Sequence, residues 1–312
     1  MSTPSVTVNA KYQVYKNDLK FKKNRNIDKD RARWDNKEYE DMYNNIDFDS
    51  LEYRLLEFLK SGSSGYENLD LSQTELKIFP NLTKLHTIQY TNMKYLFIAE
   101  NSLTELPDLS EYKNLQVIDV SHNKLTKITK LPSSLIELTC KHNLLAELPN
   151  ESNMNIIRLD CAFNKLSNLP NYNKLINLIC CNNDISIINN YPNLERLICN
   201  DNKIIKIEKL INLKYLDCSN NDITELPINM NNLIDLIINK TKIEHLPSLD
   251  KIKYIEMFGN NINYLNYFHT LEDLFCYKQS IYKMSKKYTE NKKLSVKLHK
   301  ENMLHITFEL KE

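Results

Sequence analysis

LINLICCNNDISIINNYPNLERLICNDNKI, residues 175–204, contains one pattern twice, and this repetition decides the fold. Cys180 and Cys199 stand in the same local setting nineteen residues apart, and each is followed three residues later by an asparagine. The same setting occurs outside this stretch at Cys140, Cys161, Cys218 and Cys276. A setting that returns at nearly constant spacing indicates an internal repeat.

Repeat units become visible along most of the chain when the cysteine slot is numbered position 6. Apolar residues then occupy positions 1, 4, 6, 11 and 14, and asparagine occupies position 9. The units begin at Tyr66, Met93, Leu115, Leu135, Ile156, Leu175, Leu194, Leu213, Leu233, Ile252 and Leu271. Their spacing is 19 to 22 residues after the second unit and 27 residues between the first and second.

One unit, with Leu213, Leu216, Cys218, Asn221 and Ile223, resembles the consensus LxxLxLxxNxL of the leucine-rich repeat family. The resemblance covers about two thirds of the chain. It implies an α/β solenoid, right-handed and curved, with a parallel β-sheet on the concave side.

Each slot has a physical reason. Positions 4 and 6 alternate with 3, 5 and 7, as on a short strand with one buried face, and successive strands stack about 4.8 Å apart. An amide at position 9 can both donate to and accept from the backbone. We therefore expect a hydrogen-bonded ladder of Asn101, Asn123, Asn143, Asn164, Asn183, Asn202, Asn221 and Asn260. Thr74, Thr241 and Gln279 replace asparagine in this slot, so the ladder is least secure near the ends.

Prolines recur at position 15 and predict a convex side with little helix. They are Pro80, Pro107, Pro149, Pro170, Pro227 and Pro247. The solenoid, residues 66–282, needs covered ends. The amphipathic stretch DSLEYRLLEFLK predicts a capping helix and loop over residues 49–65, and two alternating runs predict a hairpin cap within residues 283–312. Residues 1–48 form a basic and then acidic segment that is either partly disordered or part of the cap.

Bulk properties favour a soluble, monomeric, cytoplasmic protein. The chain has 312 residues and a formal net charge of +1, and MSTPSVTVNA lacks the apolar core of a signal peptide. No apolar run approaches the length of a membrane helix, which predicts no membrane partner. The abundance of Asn, Ile, Lys and Tyr is typical of an AT-rich genome, so we expect a protist or a large DNA virus as the source. In the viral case the protein would act in the host cytoplasm.

The recurring cysteines are interpreted as buried apolar fillers. A one-dimensional row of thiols does not offer the tetrahedral convergence that zinc needs, and parallel Cβ vectors give poor disulfide torsions. Cys181 follows an inward-facing residue, so it is predicted as the one exposed thiol. His122 and His142 share position 8 in adjacent units and are interpreted as turn residues. We expect no cofactor and no metal.

Positions 3, 5 and 7 form the concave face, where solenoids of this kind bind their partners. We predict that this face binds a protein through exposed apolar, aromatic and arginine side chains. The candidate residues are Tyr95, Phe97, Arg158, Ile179, Arg196, Ile198, Tyr215, Ile237, Tyr254 and Phe258. Acidic residues on the same face would repel phosphates, which argues against nucleic acid; they are Asp119, Asp160, Asp217, Asp235 and Glu256.

No Walker-type, GxSxG or HExxH motif occurs, so the chain is predicted to be a non-enzymatic protein-interaction module. The alternative is a ubiquitin-ligase-type substrate adaptor, in which the N-terminal segment recruits machinery and the repeats select the substrate. A fused catalytic domain has little room, because only about thirty residues follow the repeats.

Overall fold

The computed structural model describes residues 67–79, 92–150, 154–262 and 264–276, and the backbone of residues 283–284 and 295–298. The chain divides into two units, residues 1–60 and residues 61–312, and the described residues all lie in the second unit. The predicted N-terminal segment 1–48 and the capping helix and loop 49–65 lie outside the described residues.

A parallel β-sheet of twelve short strands forms the solenoid. Its strands are β1 (Asn68–Asp70), β2 (Tyr95–Phe97), β3 (Val117–Asp119), β4 (Glu137–Thr139), β5 (Arg158–Asp160), β6 (Asn177–Ile179), β8 (Arg196–Ile198), β10 (Tyr215–Asp217), β11 (Asp235–Ile237), β12 (Tyr254–Met257), β14 (Asp273–Cys276) and β16 (Ser295–Leu298). They follow one another in chain order across the sheet, and all the pairings are parallel. The predicted parallel-sheet solenoid is confirmed.

The strand register confirms the predicted repeat units. Within this sheet, β1 and the ten strands after it, up to β14, each begin at position 3 of a unit. Position 4 of one unit pairs with position 4 of the next, as Leu178 does with Leu197. In β6 the pattern of burial along Asn177, Leu178 and Ile179 is half-buried, buried and half-buried. The alternation expected of a sheet with one core-facing side is therefore present.

The core is a column of side chains from positions 1, 4, 6, 11 and 14. In the sixth unit these are Leu175, Leu178, Cys180, Ile185 and Ile188, each at most 1% exposed. Full burial of one such aliphatic side chain contributes about 1.5–3 kcal/mol. The column repeats in neighbouring units, so each unit is stabilised by packing against the units on either side.

The asparagines at position 9 form the predicted ladder. Asn183 Oδ1 accepts a hydrogen bond from Leu166 N of the preceding unit at 2.9 Å. Its Nδ2 donates to Cys161 O of the preceding unit at 3.0 Å and to Cys180 O of its own unit at 3.1 Å. Equivalent contacts occur at Asn101, Asn123, Asn143, Asn164, Asn202 and Asn221. The ladder weakens where predicted, because Thr241 donates only to Ile238 O, and Asn260 Oδ1 is buried without a partner.

A second row of polar side chains lies just before position 1. Asn193 donates to Asn173 O at 2.8 Å, Asn212 to Pro192 O at 2.8 Å, and Asn232 to Ile211 O at 2.9 Å. Sequence reasoning missed this row, since other donors stand in the same slot, such as Ser134, which donates to Leu115 O. Two rows of side-chain hydrogen bonds thus join successive units.

Position 8 adopts a left-handed backbone in the ten units that the structure describes there. The φ angle is +53° at His122, +53° at Asn182, +55° at Asp201 and +71° at Gly259. This conformation disfavours most L-residues and is best tolerated by Gly, Asn and Asp. The turn after each strand is therefore a strained point, repeated once per unit.

The convex side carries little regular structure. Two two-stranded parallel sheets lie there, β7 (Ile187–Ile188) with β9 (Lys206–Ile207) and β13 (Tyr264–Leu265) with β15 (Lys283–Met284). No α-helix occurs in residues 67–79, 92–150, 154–262 or 264–276. The buried Tyr191 hydroxyl donates to Pro170 O at 3.0 Å, so proline carbonyls at position 15 are used as acceptors.

Towards the C-terminus the parallel sheet continues into β16, which pairs with β14. This strand is the first of the two alternating runs that predicted a hairpin cap. The second run lies outside the described residues, so the hairpin stays a prediction.

Candidate protein-binding surface

The concave face consists of three rows of side chains, from positions 3, 5 and 7. Because the strands pair in register, residues of one row stand next to each other, about 4.8 Å apart from unit to unit. In the middle of the position 5 row, Ile179 pairs with Ile198. Asp160 precedes them and Asp217 follows them. Two isoleucines bracketed by two carboxylates form what we call the central patch.

The isoleucines of the concave face are half-buried instead of openly exposed. Ile179, Ile198 and Ile237 all show this intermediate exposure. Each side chain is flanked at one strand spacing by its neighbours in the row, and these reduce its accessible surface. The large apolar residues with the greatest exposure, Ile78 at 81% and Ile228 at 78%, lie at positions 13 and 16, away from this face.

The carboxylates of the central patch are hydrogen-bonded to the backbone. Asp160 Oδ1 accepts from Ala162 N at 3.2 Å, and Asp217 Oδ1 accepts from Ser219 N at 3.1 Å. Burial is the main cause that raises the pKa of both carboxyls above the usual range. Among the residues described, no ion pair involves either of them, although Lys141 acts on Asp160 at longer range.

The position 3 row beside the patch holds the two predicted arginines. Arg158 forms an ion pair with Glu137, with 2.6 Å between Nη2 and Oε2. The Arg196 guanidinium lies 3.8 Å from the centroid of the Tyr215 ring, within cation–π distance. Asn177 stands between the two arginines, and its Oδ1 is buried without a hydrogen-bond partner.

A second cluster lies nearer the C-terminal end of the face. The Tyr254 and Phe275 rings are 5.1 Å apart, and the Tyr254 hydroxyl donates to Glu256 Oε2 at 2.8 Å. Asn239 donates to the same carboxylate and accepts from Phe258 N at 2.6 Å. Two predicted site residues therefore belong to one hydrogen-bonded cluster, Tyr254 through its hydroxyl and Phe258 through its backbone N–H.

The predicted N-terminal pair differs in exposure. Tyr95 is half-buried, whereas Phe97 is 8% exposed and counts as core. Phe97 pairs with Asp70 on one side and Asp119 on the other. Side chains on both flanks at one strand spacing account for the small accessible surface of Phe97, which sequence reasoning took as exposed.

The cysteines are buried in a row, as interpreted from the sequence. Cys140, Cys161, Cys180, Cys199 and Cys218 are 0% exposed, and burial raises the pKa of each thiol. None of the seven cysteines forms a disulfide, and Cys181 is the one that is not buried. Burial also raises the pKa of Cys181, which makes its thiol a poor nucleophile at neutral pH.

The two histidines at position 8 begin a ring stack at the edge of the concave face. His122 and His142 are stacked with 4.3 Å between ring centroids, and His142 stacks on Phe163 at 4.2 Å. Desolvation by burial lowers the pKa of His142. Within the described part of the chain, no group of three or more His, Cys, Asp or Glu could hold a metal ion. Among the described residues, too, no helix is long and apolar enough to cross a membrane.

The fold and its concave face define a leucine-rich-repeat solenoid. Residues 91–133 match the family model "Leucine Rich repeats (2 copies)". The chain thus carries leucine-rich repeats, as predicted from the motif. No curated protein matches the sequence.

Solved structures show the same fold at low sequence identity. The functional domain of InlJ from Listeria monocytogenes, which includes a cysteine ladder, is 24% identical at TM-score 0.55, covering 75% of this chain and 63% of that one. A chain of the Toll–Spatzle complex from Drosophila is 18% identical at TM-score 0.53, covering 69% of this chain and 38% of that one. The TLR13–ssRNA13 complex is 18% identical at TM-score 0.55, covering 74% of this chain and 43% of that one. The present chain therefore spans less than two thirds of each.

Proposed function

We propose that this solenoid is a non-enzymatic interaction module that binds a segment of a partner protein on its concave face. The observation that carries the proposal is the pair Ile179 and Ile198, which lie side by side on the outer face of adjacent strands. The core does not require apolar side chains at position 5, where other units place Asp160 or Asp217. Apolar side chains that the core does not require are typical of interaction surfaces.

The surroundings of this pair suit a protein ligand. Tyr215 and Arg196 lie beside it, and Tyr and Arg are enriched among residues that dominate binding energies. The two hydrogen-bonded rows hold the strands in place, so the surface is organised before a partner arrives. Leucine-rich-repeat relatives bind other proteins in complexes, such as Toll with Spatzle.

The test compares two pairs of isoleucines from the same two units. Ile179→Thr with Ile198→Thr removes apolar surface from the concave face, whereas Ile187→Thr with Ile205→Thr does so on the convex side, where those residues are 41% and 59% exposed. Partners are captured with the full chain from its source cells, and their affinities for the three proteins are measured by titration. We expect the concave pair to weaken binding about tenfold or more, because each lost contact is worth about 1 kcal/mol.

Circular dichroism checks that both double variants stay folded. A partner that binds the concave variant as tightly as the parent, or that loses affinity only for the convex variant, contradicts the proposal. Replacing Ile198 and Tyr215 together by Ala is a second test of the same surface.

The adaptor alternative concerns residues 1–48, which lie outside the described residues. Deletion of these residues separates the two functions. Loss of one class of partners, with binding by the solenoid retained, would support the adaptor. Cytoplasmic localisation, the monomeric state and the viral or protist source also stay predictions.

A further inference from the structure

The concave face carries more carboxylates than cations. The acidic residues at positions 3, 5 and 7 are Asp70, Asp119, Glu137, Asp160, Asp217, Asp235, Glu256 and Asp273, and the basic ones are Lys141, Arg158 and Arg196. The chain as a whole is nearly neutral, with a formal net charge of +1. Negative charge is therefore concentrated on this face, which favours a positively charged partner through electrostatic complementarity.

The two arginines near the central patch leave its carboxylates free for a partner. Arg158 is held by Glu137 through both Nε at 2.7 Å and Nη2 at 2.6 Å. Arg196 lies over Tyr215, and its charge partly offsets the rise that burial causes in the pKa of Asp235. Neither guanidinium forms an ion pair with Asp160 or Asp217.

The spacing of the patch sets the spacing of its ligand. Asp160 and Asp217 are three strand steps apart, because β6 and β8 lie between β5 and β10. Three steps of about 4.8 Å give about 14 Å. In an extended peptide, side chains at i, i+2 and i+4 face the same way, and i and i+4 are about 13 Å apart.

We infer that the central patch binds an extended peptide segment with Lys or Arg at i and i+4 and an apolar residue at i+2. This inference rests on the proposed function and names the chemistry of its partner. The peptide lies across the strands along the position 5 row. Its two cations pair with Asp160 and Asp217, and the apolar side chain between them packs on Ile179 and Ile198.

The neighbouring rows leave a place for the peptide backbone. Position 7 beside the patch holds Ala162, Cys181, Asn200 and Ser219. Three of these side chains are small and leave room for the chain to approach, and the Asn200 amide donates to the neighbouring Asp201 at 2.6 Å. On the other side, the Oδ1 atom of Asn177 is buried and lacks a donor. If the Asn177 side chain turns outwards on binding, a peptide N–H can donate to this oxygen and satisfy an acceptor that is otherwise costly to bury.

The direct test uses a labelled synthetic peptide with the core Arg-Ser-Leu-Ser-Arg, titrated with the whole protein and followed by fluorescence polarisation. Two peptides serve as ligand controls: one of the same composition with the arginines three residues apart, and one with Glu in place of both arginines. We expect measurable binding of the first peptide alone. Its affinity should fall as salt is raised, since screening weakens exposed charge pairs.

Variants of the protein assign the binding to the patch. Asp160→Asn and Asp217→Asn keep the side-chain oxygen that accepts from the backbone but remove the charge, and each should weaken binding about three- to tenfold. The matched control is Asp119→Asn. This residue occupies the same slot and accepts from Ser121 N at 2.9 Å, but lies two strand steps beyond Asp160, so binding should not change.

Several outcomes overturn the inference. They are no binding of the Arg-Ser-Leu-Ser-Arg peptide, equal binding of the peptide with altered spacing, or equal effects of Asp119→Asn and Asp160→Asn. The inference is also overturned if light scattering shows a dimer that dissociates when Ile179 and Ile198 are replaced by Thr, because a second copy of the chain would then occupy the patch. If the natural partner loses affinity for that isoleucine double variant but not for the two aspartate variants, the inference fails while the proposed function stands.

Discussion

Asn143→Ala tests the hydrogen-bonded ladder at a position where its contacts are complete. Asn143 is 6% exposed, and its Oδ1 accepts from Leu125 N at 2.9 Å. Its Nδ2 donates to Val120 O and to Cys140 O, both at 3.0 Å. Alanine removes these three contacts, and a longer one from Nδ2 to Lys141 O at 3.4 Å, without introducing a clash.

The cost is unequal among the three partners. Val120 O still accepts from Asn123 Nδ2 at 3.1 Å, and Cys140 O still accepts from Asn164 Nδ2 at 3.1 Å. Leu125 N keeps no acceptor, and a buried unpaired N–H costs about 1–3 kcal/mol. With a smaller loss at each carbonyl, we expect the free energy of unfolding to fall by about 2–4 kcal/mol.

Urea denaturation followed by circular dichroism measures the loss. For a slope of about 3 kcal/mol per molar, a loss of about 3 kcal/mol lowers the midpoint by about 1 M. Hydrogen exchange should in addition speed up at the Leu125 amide, because the ladder contact protects it. The control is Asn190→Ala, an exposed asparagine on the loop before Tyr191. The reasoning is refuted if Asn143→Ala lowers the midpoint no more than this control does.

Three further predictions concern other parts of the solenoid. Thr241→Asn should raise the free energy of unfolding by about 1 kcal/mol, because it restores the ladder amide; an unchanged urea midpoint would contradict this. Cys181 should react with a bulky thiol reagent in the native protein while the six buried cysteines react only after unfolding; labelling of a Cys181→Ala variant at the same rate would show that the register is wrong. Burial raises the pKa of the Asp160 and Asp217 carboxyls in the folded protein above the pKa they have in the unfolded chain. The free energy of unfolding is therefore highest at low pH, where both carboxyls are protonated, and it falls as pH rises through the pKa of the folded protein. Asp160→Asn and Asp217→Asn should therefore be at least as stable as the parent at about pH 7, and the melting temperature as a function of pH checks this.

The fold could be predicted from the sequence because each unit repeats the same constraint. The register of β6 and β8 follows from Cys180 and Cys199, which occupy the same position in adjacent units. The other units give the same numbering independently. The asparagine ladder was predictable for the same reason. The second polar row was not, since any side chain that can donate a hydrogen bond serves there, from Asn193 to Ser134.

The candidate surface was only partly predictable, because exposure depends on neighbours that are distant in sequence. Ile179 was expected to be openly exposed, but its strand neighbours reduce its exposure to an intermediate value. Phe97 is buried for the same reason. From the sequence, the carboxylates Asp160 and Asp217 were interpreted only as an argument against nucleic acid. Each lies one strand away from the isoleucine pair, and this arrangement is visible only when the order of the strands in the sheet is known.

The in-register stacking of the strands makes the solenoid a molecular ruler. The separation of Asp160 and Asp217 is counted in whole turns, so the loss or duplication of the unit that begins at Leu175 would change it by one step of about 4.8 Å without disturbing the core. Ligand length and chain length are thereby coupled. A gene that gains or loses one repeat can change the size of the segment its product recognises while every surviving contact within the solenoid stays the same.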